Sequence, residues 1–333
     1  MEILKKILSV FLTIIKIIGI PIIVFFAGLI IFSHLSFSPL PAVSSVSDFN
    51  YLLHFIGASS NIPVVSKTLS SIELSPYKSE LEFDSDFYPY YGMLNDGQKL
   101  VYKQFYNTIL NRKPSFIIHS ENTTQDEAET IWTSVLYDHP ELFWASDECA
   151  FVSNKTGSVT LGAKLDYYDF GDFEKAKRDF ESSANSILNS LGNVSTTQGK
   201  EMLIHDKLVG MAKYDTNADY NQSAYSALVS GRSVCAGYSR AFQYLLIKLD
   251  IPCYYVTGWS EENHAWNIIN IDGEFYNVDV TWDAALGTHA FFNRTDTDFV
   301  ASHTRTDQSV DLPVCNGITY RNADPIPPII VTH

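Results

Sequence analysis

Asp272-Gly273 narrows what this chain can fold into more than any other pair of residues. It lies between two β-rich runs, Asn263 to Ile271 and Glu274 to Trp282. An Asp-Gly pair in that setting predicts a two-residue hairpin, because both turn positions tolerate positive φ. So short a turn fixes the register: Ile271 faces Glu274 and, counting outward, Trp266 faces Asp279 and His264 faces Thr281. His264 and Asp279 then project from one face of adjacent strands as diagonal neighbours, within reach of a carboxylate to imidazole hydrogen bond. Asp283 shares that parity opposite Glu262 but lies past the expected strand end. Asn277 pairs with Ile268, further from His264, so Asp279 is the expected partner.

Upstream, the run Ser230-Gly231-Arg232-Ser233-Val234-Cys235-Ala236-Gly237-Tyr238 precedes an apolar series at Phe242, Leu245, Leu246 and Leu249. This spacing predicts a helix from Cys235 to about Asp250, with Gly231 in a tight turn and Ser233 as a cap. Cys235 falls in the first turn, where unsatisfied N–H groups and the helix dipole favour a thiolate. A lone cysteine there is more often a small buried hydrophobe than a nucleophile. A strand from Pro252 to Trp259, followed by the His264/Asp279 hairpin, changes that balance. His264 takes or shares the thiol proton, Asp279 holds the ring in the useful tautomer, and the thiolate attacks an acyl carbon. The Cys235 N–H is a natural oxyanion donor, Gln222 and Tyr225 are candidates for a second donor, and Trp266 and Trp282 are placed to exclude water.

Cys235, His264 in a His-Ala-Trp-Asn context and Asp279 in Val-Asp-Val-Thr-Trp-Asp together resemble the transglutaminase-like superfamily, most closely its bacterial membrane-anchored or secreted members. The stretch Asp138 to Trp144, the Phe292-Asn293 pair and Leu312 to Cys315 extend the resemblance over residues 88 to 320, although the specific motifs are confined to 230 to 283. The resemblance implies an α+β, papain-like core in which the cysteine helix packs on an antiparallel sheet bearing the histidine and aspartate. It also implies a cysteine acyltransferase or peptidase working through a thioacyl intermediate on protein or peptide amides. Ala236 departs from the Glu or Gln of many relatives. No calcium pattern of the animal enzymes is present, and no cofactor or metal is expected. A non-catalytic surface module on the same fold is the alternative reading.

The N-terminus is of another kind. Ile7 to Phe32 is almost continuously apolar, and Ile17 to Phe37 is long enough to cross a bilayer as a helix. Lys5, Lys6 and Lys16 lie before it, which by the positive-inside rule predicts a single-pass anchor with the remainder outside the cell. The rival is a cleaved signal peptide, with Ala42 to Ser44 as a weak cleavage site, giving a secreted protein. We therefore expect a cytoplasmic end and anchor over 1–37 and a Ser- and Pro-rich stalk over 38–84. An accessory α+β region over 85–170, the catalytic domain over 171–320 and a tail over 321–333 follow. Three lysines and one glutamate lie before residue 45, and the rest holds 20 basic residues against 37 acidic. Such a balance argues against nucleic acid, whose phosphates need a basic surface. The expected partners are the membrane and a protein or peptide substrate, including one held in the cell wall. If Cys235 is a working thiol, Cys149, Cys253 and Cys315 are an odd remainder, which makes a disulfide framework improbable and leaves a single Cys253 to Cys315 bridge open.

Overall fold

Asn95 and Gln98 begin the ordered helices: the Asn95 side chain accepts the Gln98 N–H, and the Gln98 side chain accepts the Asn95 N–H. This capping box follows a single-turn helix α1 (Pro89–Gly92) and starts α2 (Asp96–Leu110), satisfying donors that a helix start otherwise strands. Tyr102, Phe105 and Ile109, at helical spacing, form its fully buried face. After β1 (Ser115–Ile117), Thr124 and Glu127 make the same box at the start of α3 (Gln125–Asp138). The computed structural model describes residues 81–118, 123–154 and 160–326. The expected anchor over 1–37 and nearly all of the stalk lie outside them. Among the described residues no helix is long and apolar enough to cross a membrane.

Strands β2 (Ala145–Asn154) and β3 (Thr160–Tyr167) are antiparallel and form a three-stranded sheet in the order β1-β3-β2. Two helices follow, the amphipathic α4 (Phe173–Asn189) and α5 (Thr197–Met211), capped by Asp172 and Thr196. A short parallel pair, β4 (Lys213–Tyr214) with β5 (Arg232–Ser233), brackets one π-helical turn at Ser226–Ser230 and leads into α6 (Cys235–Ile247). Strands β6 (Cys253–Ser260), β7 (Glu262–Ile271) and β8 (Glu274–Val278) and the two-residue β9 (Thr304–Arg305) make an antiparallel sheet ordered β8-β7-β6-β9, and α6 packs on β6 and β7. Helices α7 (Val280–Leu286) and α8 (Asp296–Phe299) separate β8 from β9. The protein is thus a mixed α/β structure built on antiparallel sheets, as expected.

The Asp272-Gly273 hairpin keeps its predicted register, with Ile271 opposite Glu274 and Ile268 opposite Asn277. The strand after the turn is shorter than expected. It ends at Val278, and Thr281, Trp282 and Asp283 belong to α7 instead of pairing with β7. One buried cluster runs from Phe105, Phe116 and Trp132 through Phe143 and Phe180 to Phe242, Leu245 and Ile269. The accessory segment and the sheet that bears His264 therefore share a core. All four cysteines are free thiols.

Candidate active site

Cys235 opens α6, and its setting is built by close approach more than by capping. The Ser233 hydroxyl, expected to cap the helix, instead donates to the Asn221 carbonyl at 3.0 Å and pairs with the Ser226 hydroxyl at 2.6 Å; Val234 is the N-cap and offers no side chain. Gly231 adopts φ 64°, the left-handed turn that glycine makes without penalty. Gly237 is glycine for another reason: a Cβ there would lie 2.0 Å from Ser233 Oγ and 2.7 Å from the Ser223 carbonyl. The cysteine turn is pressed against the loop before it, with Cys235 half-buried at the helix start. Ser239 ties α6 to β7 by donating to the Ala265 carbonyl at 3.0 Å, one residue from His264.

Asp279 is the hub. It is the N-cap of α7, and its Oδ1 accepts the N–H groups of Thr281 at 2.9 Å and Trp282 at 3.0 Å. Its Oδ2 lies 2.7 Å from His264 Nε2 and 3.0 Å from His303 Nε2. Burial pulls this fully buried carboxyl up, but the charges and hydrogen bonds of His264 and His303 outweigh it and hold Asp279 well below the usual carboxylate range. Burial likewise pushes the His264 imidazole down. The Asp279 carboxylate and a hydrogen bond with the Cys235 thiol prevail, and His264 is held well above its ordinary value. With Nε2 on Asp279, Nδ1 is the ring atom left for Cys235. Three groups converge here: a half-buried thiol at a helix start, an imidazole bonded to a carboxylate, and that carboxylate fixed by backbone donors.

The sequence placed Trp266 and Trp282 here, and both flank the imidazole. The Trp266 ring lies 6.2 Å from that of His264 and nearly parallel to it, and the Trp282 ring stands edge-on at 6.4 Å. Tyr225 lies elsewhere: its ring stacks on Phe143 at 5.3 Å and packs on Phe170 at 4.8 Å. The Gln222 amide donates to Asn221, and the Gln222 carbonyl accepts from Arg240, so neither contact involves Cys235 or His264. Asp283, the second choice as partner for His264, binds His205 instead at 3.0 Å. Two residues escaped the sequence reading. His303 follows Asp279 by 24 residues with no motif around it. Tyr214 is half exposed and pairs with Ser233, two residues before Cys235; burial together with the negative charge of Cys235, Glu262 and Asp279 pushes its phenol up to about 12. Ligand atoms of His264, Asp279 and His303 lie within 4.8 Å of one another, a spacing that would also admit a metal ion.

Residues 185–280 match the family model of the Transglutaminase-like superfamily, a segment that contains Cys235, His264 and Asp279. The resemblance read from the sequence is thereby shown, for less than a third of the chain. No curated protein matches. Among solved structures, the chain is similar to a candidate cysteine protease from Cytophaga hutchinsonii, at 16% identity and a TM-score of 0.28 over 40% of this chain and 61% of that one. It is also similar to a TGase, at 11% identity and a TM-score of 0.30, over 65% of this chain and 56% of that one. A candidate protease from Parabacteroides distasonis follows at 8% identity and a TM-score of 0.25, over 39% of this chain and 35% of that one. The chain spans about three fifths of the first of these, and at such TM-scores none of the three adds an argument to the geometry.

Proposed function

We propose that the protein is a cysteine enzyme in which Cys235, His264 and Asp279 act as a catalytic triad on protein or peptide amides, held at the outer face of the cell membrane by the N-terminal apolar segment. The observation that carries this reading is the 2.7 Å bond from His264 Nε2 to a carboxylate that four donors hold in place, with the Cys235 thiol on the other side of the ring. The imidazolium supports a thiolate at the start of α6. The thiolate attacks the amide carbon, and the amine leaves with the proton that His264 supplies, which creates a thioester. Water or a primary amine then attacks the thioester, returns a proton to His264 and frees the thiol. Water gives proteolysis or deamidation, and an amine gives an isopeptide cross-link. The Cys235 N–H and the Tyr214 hydroxyl are the donors we assign to the oxyanion. Trp266 and Trp282 keep bulk water off the imidazolium.

Thiol labelling tests the nucleophile first. Burial pushes Cys149, Cys253 and Cys315 well above the ordinary thiol value, so they form a slow background. In the full-length protein, iodoacetamide is expected to modify one thiol rapidly at neutral pH. That reaction should vanish in Cys235→Ala and slow by about 10²-fold or more in His264→Ala, within the range of acid and base assistance. Glutamine peptides offered with a labelled primary amine then separate the two branches, since hydrolysis yields glutamate and transfer yields the labelled amide. A Cys235 no faster than the other thiols and indifferent to His264→Ala overturns the catalytic reading and leaves a binding module on this fold.

A further inference from the structure

Where α5 meets the end of α7 lies a second cluster of chemistry-bearing side chains that the triad does not use. His205 and Asp206 are adjacent residues on α5, and His289 follows the end of α7. Asp206 Oδ1 lies 3.2 Å from His205 Nδ1 and 2.6 Å from His289 Nε2, and ligand atoms of the three all fall within 4.8 Å of one another. We propose that His205, Asp206 and His289 form a binding site for a divalent cation of the zinc class.

The orientation of His205 carries the argument. Its side chain is fully buried, and its Nε2 sits 3.0 Å from Oδ2 of Asp283, whose own side chain is also fully buried. Asp283 is held in turn, since its Oδ1 accepts the Phe291 N–H at 2.9 Å. The carboxylate on Nε2 orients the ring, so that Nδ1 points at Oδ1 of Asp206. A cation bound by His205 Nδ1 and Asp206 takes the place of that 3.2 Å contact. A carboxylate behind a histidine whose other nitrogen faces a ligand cluster is how proteins orient metal-binding imidazoles. Two imidazole nitrogens and one carboxylate oxygen suit zinc and its transition-metal neighbours, whereas calcium and magnesium prefer an all-oxygen shell. The Asp206 and His289 side chains are 47% and 48% exposed, so a cation has a path in and a water can take a fourth position. Bound there, the cation joins α5 to the segment after α7, the helix whose first residue follows Asp279.

Sequence spacing hid this site, because two ligands are neighbours on a helix and the third comes 83 residues after Asp206. The test is calorimetric titration of the full-length protein with zinc chloride at neutral pH. It is run in a Cys235→Ala background, which removes the one thiol that would compete. One equivalent of zinc is expected to bind and to raise the unfolding temperature. Asp206→Asn and His289→Gln should each weaken binding by about tenfold or more, and His303→Gln should leave it unchanged. Both altered side chains are half exposed, and matching unfolding temperatures without zinc check that the variants fold. Absence of binding, or binding lost in His303→Gln but kept in Asp206→Asn and His289→Gln, overturns the proposal.

Discussion

At the residue scale, the arrangement turns on one carboxylate serving two imidazoles. Both His264 and His303 meet Oδ2 of Asp279, while Oδ1 is committed to the start of α7. If the triad reading holds, the two histidines are not equivalent, because the Nδ1 of His303 is taken up by the Ser302 hydroxyl, whereas that of His264 is left for Cys235. Asp279→Asn removes the charge that keeps His264 protonated, and the amide presents a donor where an acceptor is needed. Its amide-hydrolysis rate should fall by ~10²–10⁴-fold, the span that positioned acid and base groups contribute. His303→Gln leaves the Asp279 charge in place and removes one hydrogen bond to it. Its loss should be about 10- to 100-fold, the equivalent of a charged hydrogen bond of ~1.5–3 kcal/mol. Measuring kcat and KM for both variants decides the matter. A His303 variant as impaired as Asp279→Asn would make His303 the functional partner of the carboxylate. Neither His303 nor Tyr214 was legible beforehand, since each reaches the site through tertiary packing and carries no pattern in its neighbours along the chain.

At the scale of elements, the hairpin register was legible because a two-residue turn admits few alternatives, and Ile271 does face Glu274. The cysteine helix was legible as well, since the apolar spacing of Phe242, Leu245 and Leu246 placed a helix there and it does begin at Cys235. The stretch after Val278 was not. Val-Asp-Val-Thr-Trp alternates like a strand, and β-branched residues favour one. An aspartate followed four residues later by Asp283 is also a helix start, and the Asp279 bonds to Thr281 and Trp282 decide in favour of the helix. The expected contact survived that error because position 279 lies one residue beyond the last paired residue, still beside β7. Gly237 shows an element-level constraint whose reason the sequence did not reveal. Gly237→Ala places a methyl against Ser233, Ser223 and Ser226, all in the segment that precedes the helix. It should destabilise the fold by about 1–3 kcal/mol, the usual cost of overpacking, and displace Cys235 from His264. Urea unfolding reads the first effect and iodoacetamide labelling the second. An unchanged labelling rate would mean that the cysteine turn is held by something other than this contact.

At the scale of the whole molecule, polar ties as well as the shared core join the early segment to the sheet that carries His264. Arg240 on α6 reaches Asp147 on β2 at 3.1 Å while also donating to the Gln222 carbonyl before the cysteine helix. The Tyr90 hydroxyl donates to the Tyr255 carbonyl on β6 at 2.7 Å. Within this body sits a buried acid with a single described donor. Glu201 on α5 is fully buried; its Oε2 accepts from Asn293 at 3.1 Å, while its Oε1 and the Asn293 amide oxygen have no donor among the described residues. Burial is the main cause that pushes this carboxyl up to about 8, against an ordinary value of ~4.3. The folded state thus keeps a proton that the unfolded chain has already lost. The sign follows from linkage: the fold is favoured fully below about pH 4, loses stability as pH rises toward about 8, and is flat beyond. Glu201→Gln cannot lose a proton, and its amide supplies the missing donor. The variant should match the wild type in acid and exceed it by a few kcal/mol, on the order expected from linkage, above about pH 8. Urea midpoints of both proteins across that range measure the difference directly, and parallel curves would mean that Glu201 finds a cation or water when it ionises. Because Cys253 on β6 lies within the field of Glu201, its labelling should stay slow in the wild type and the variant alike.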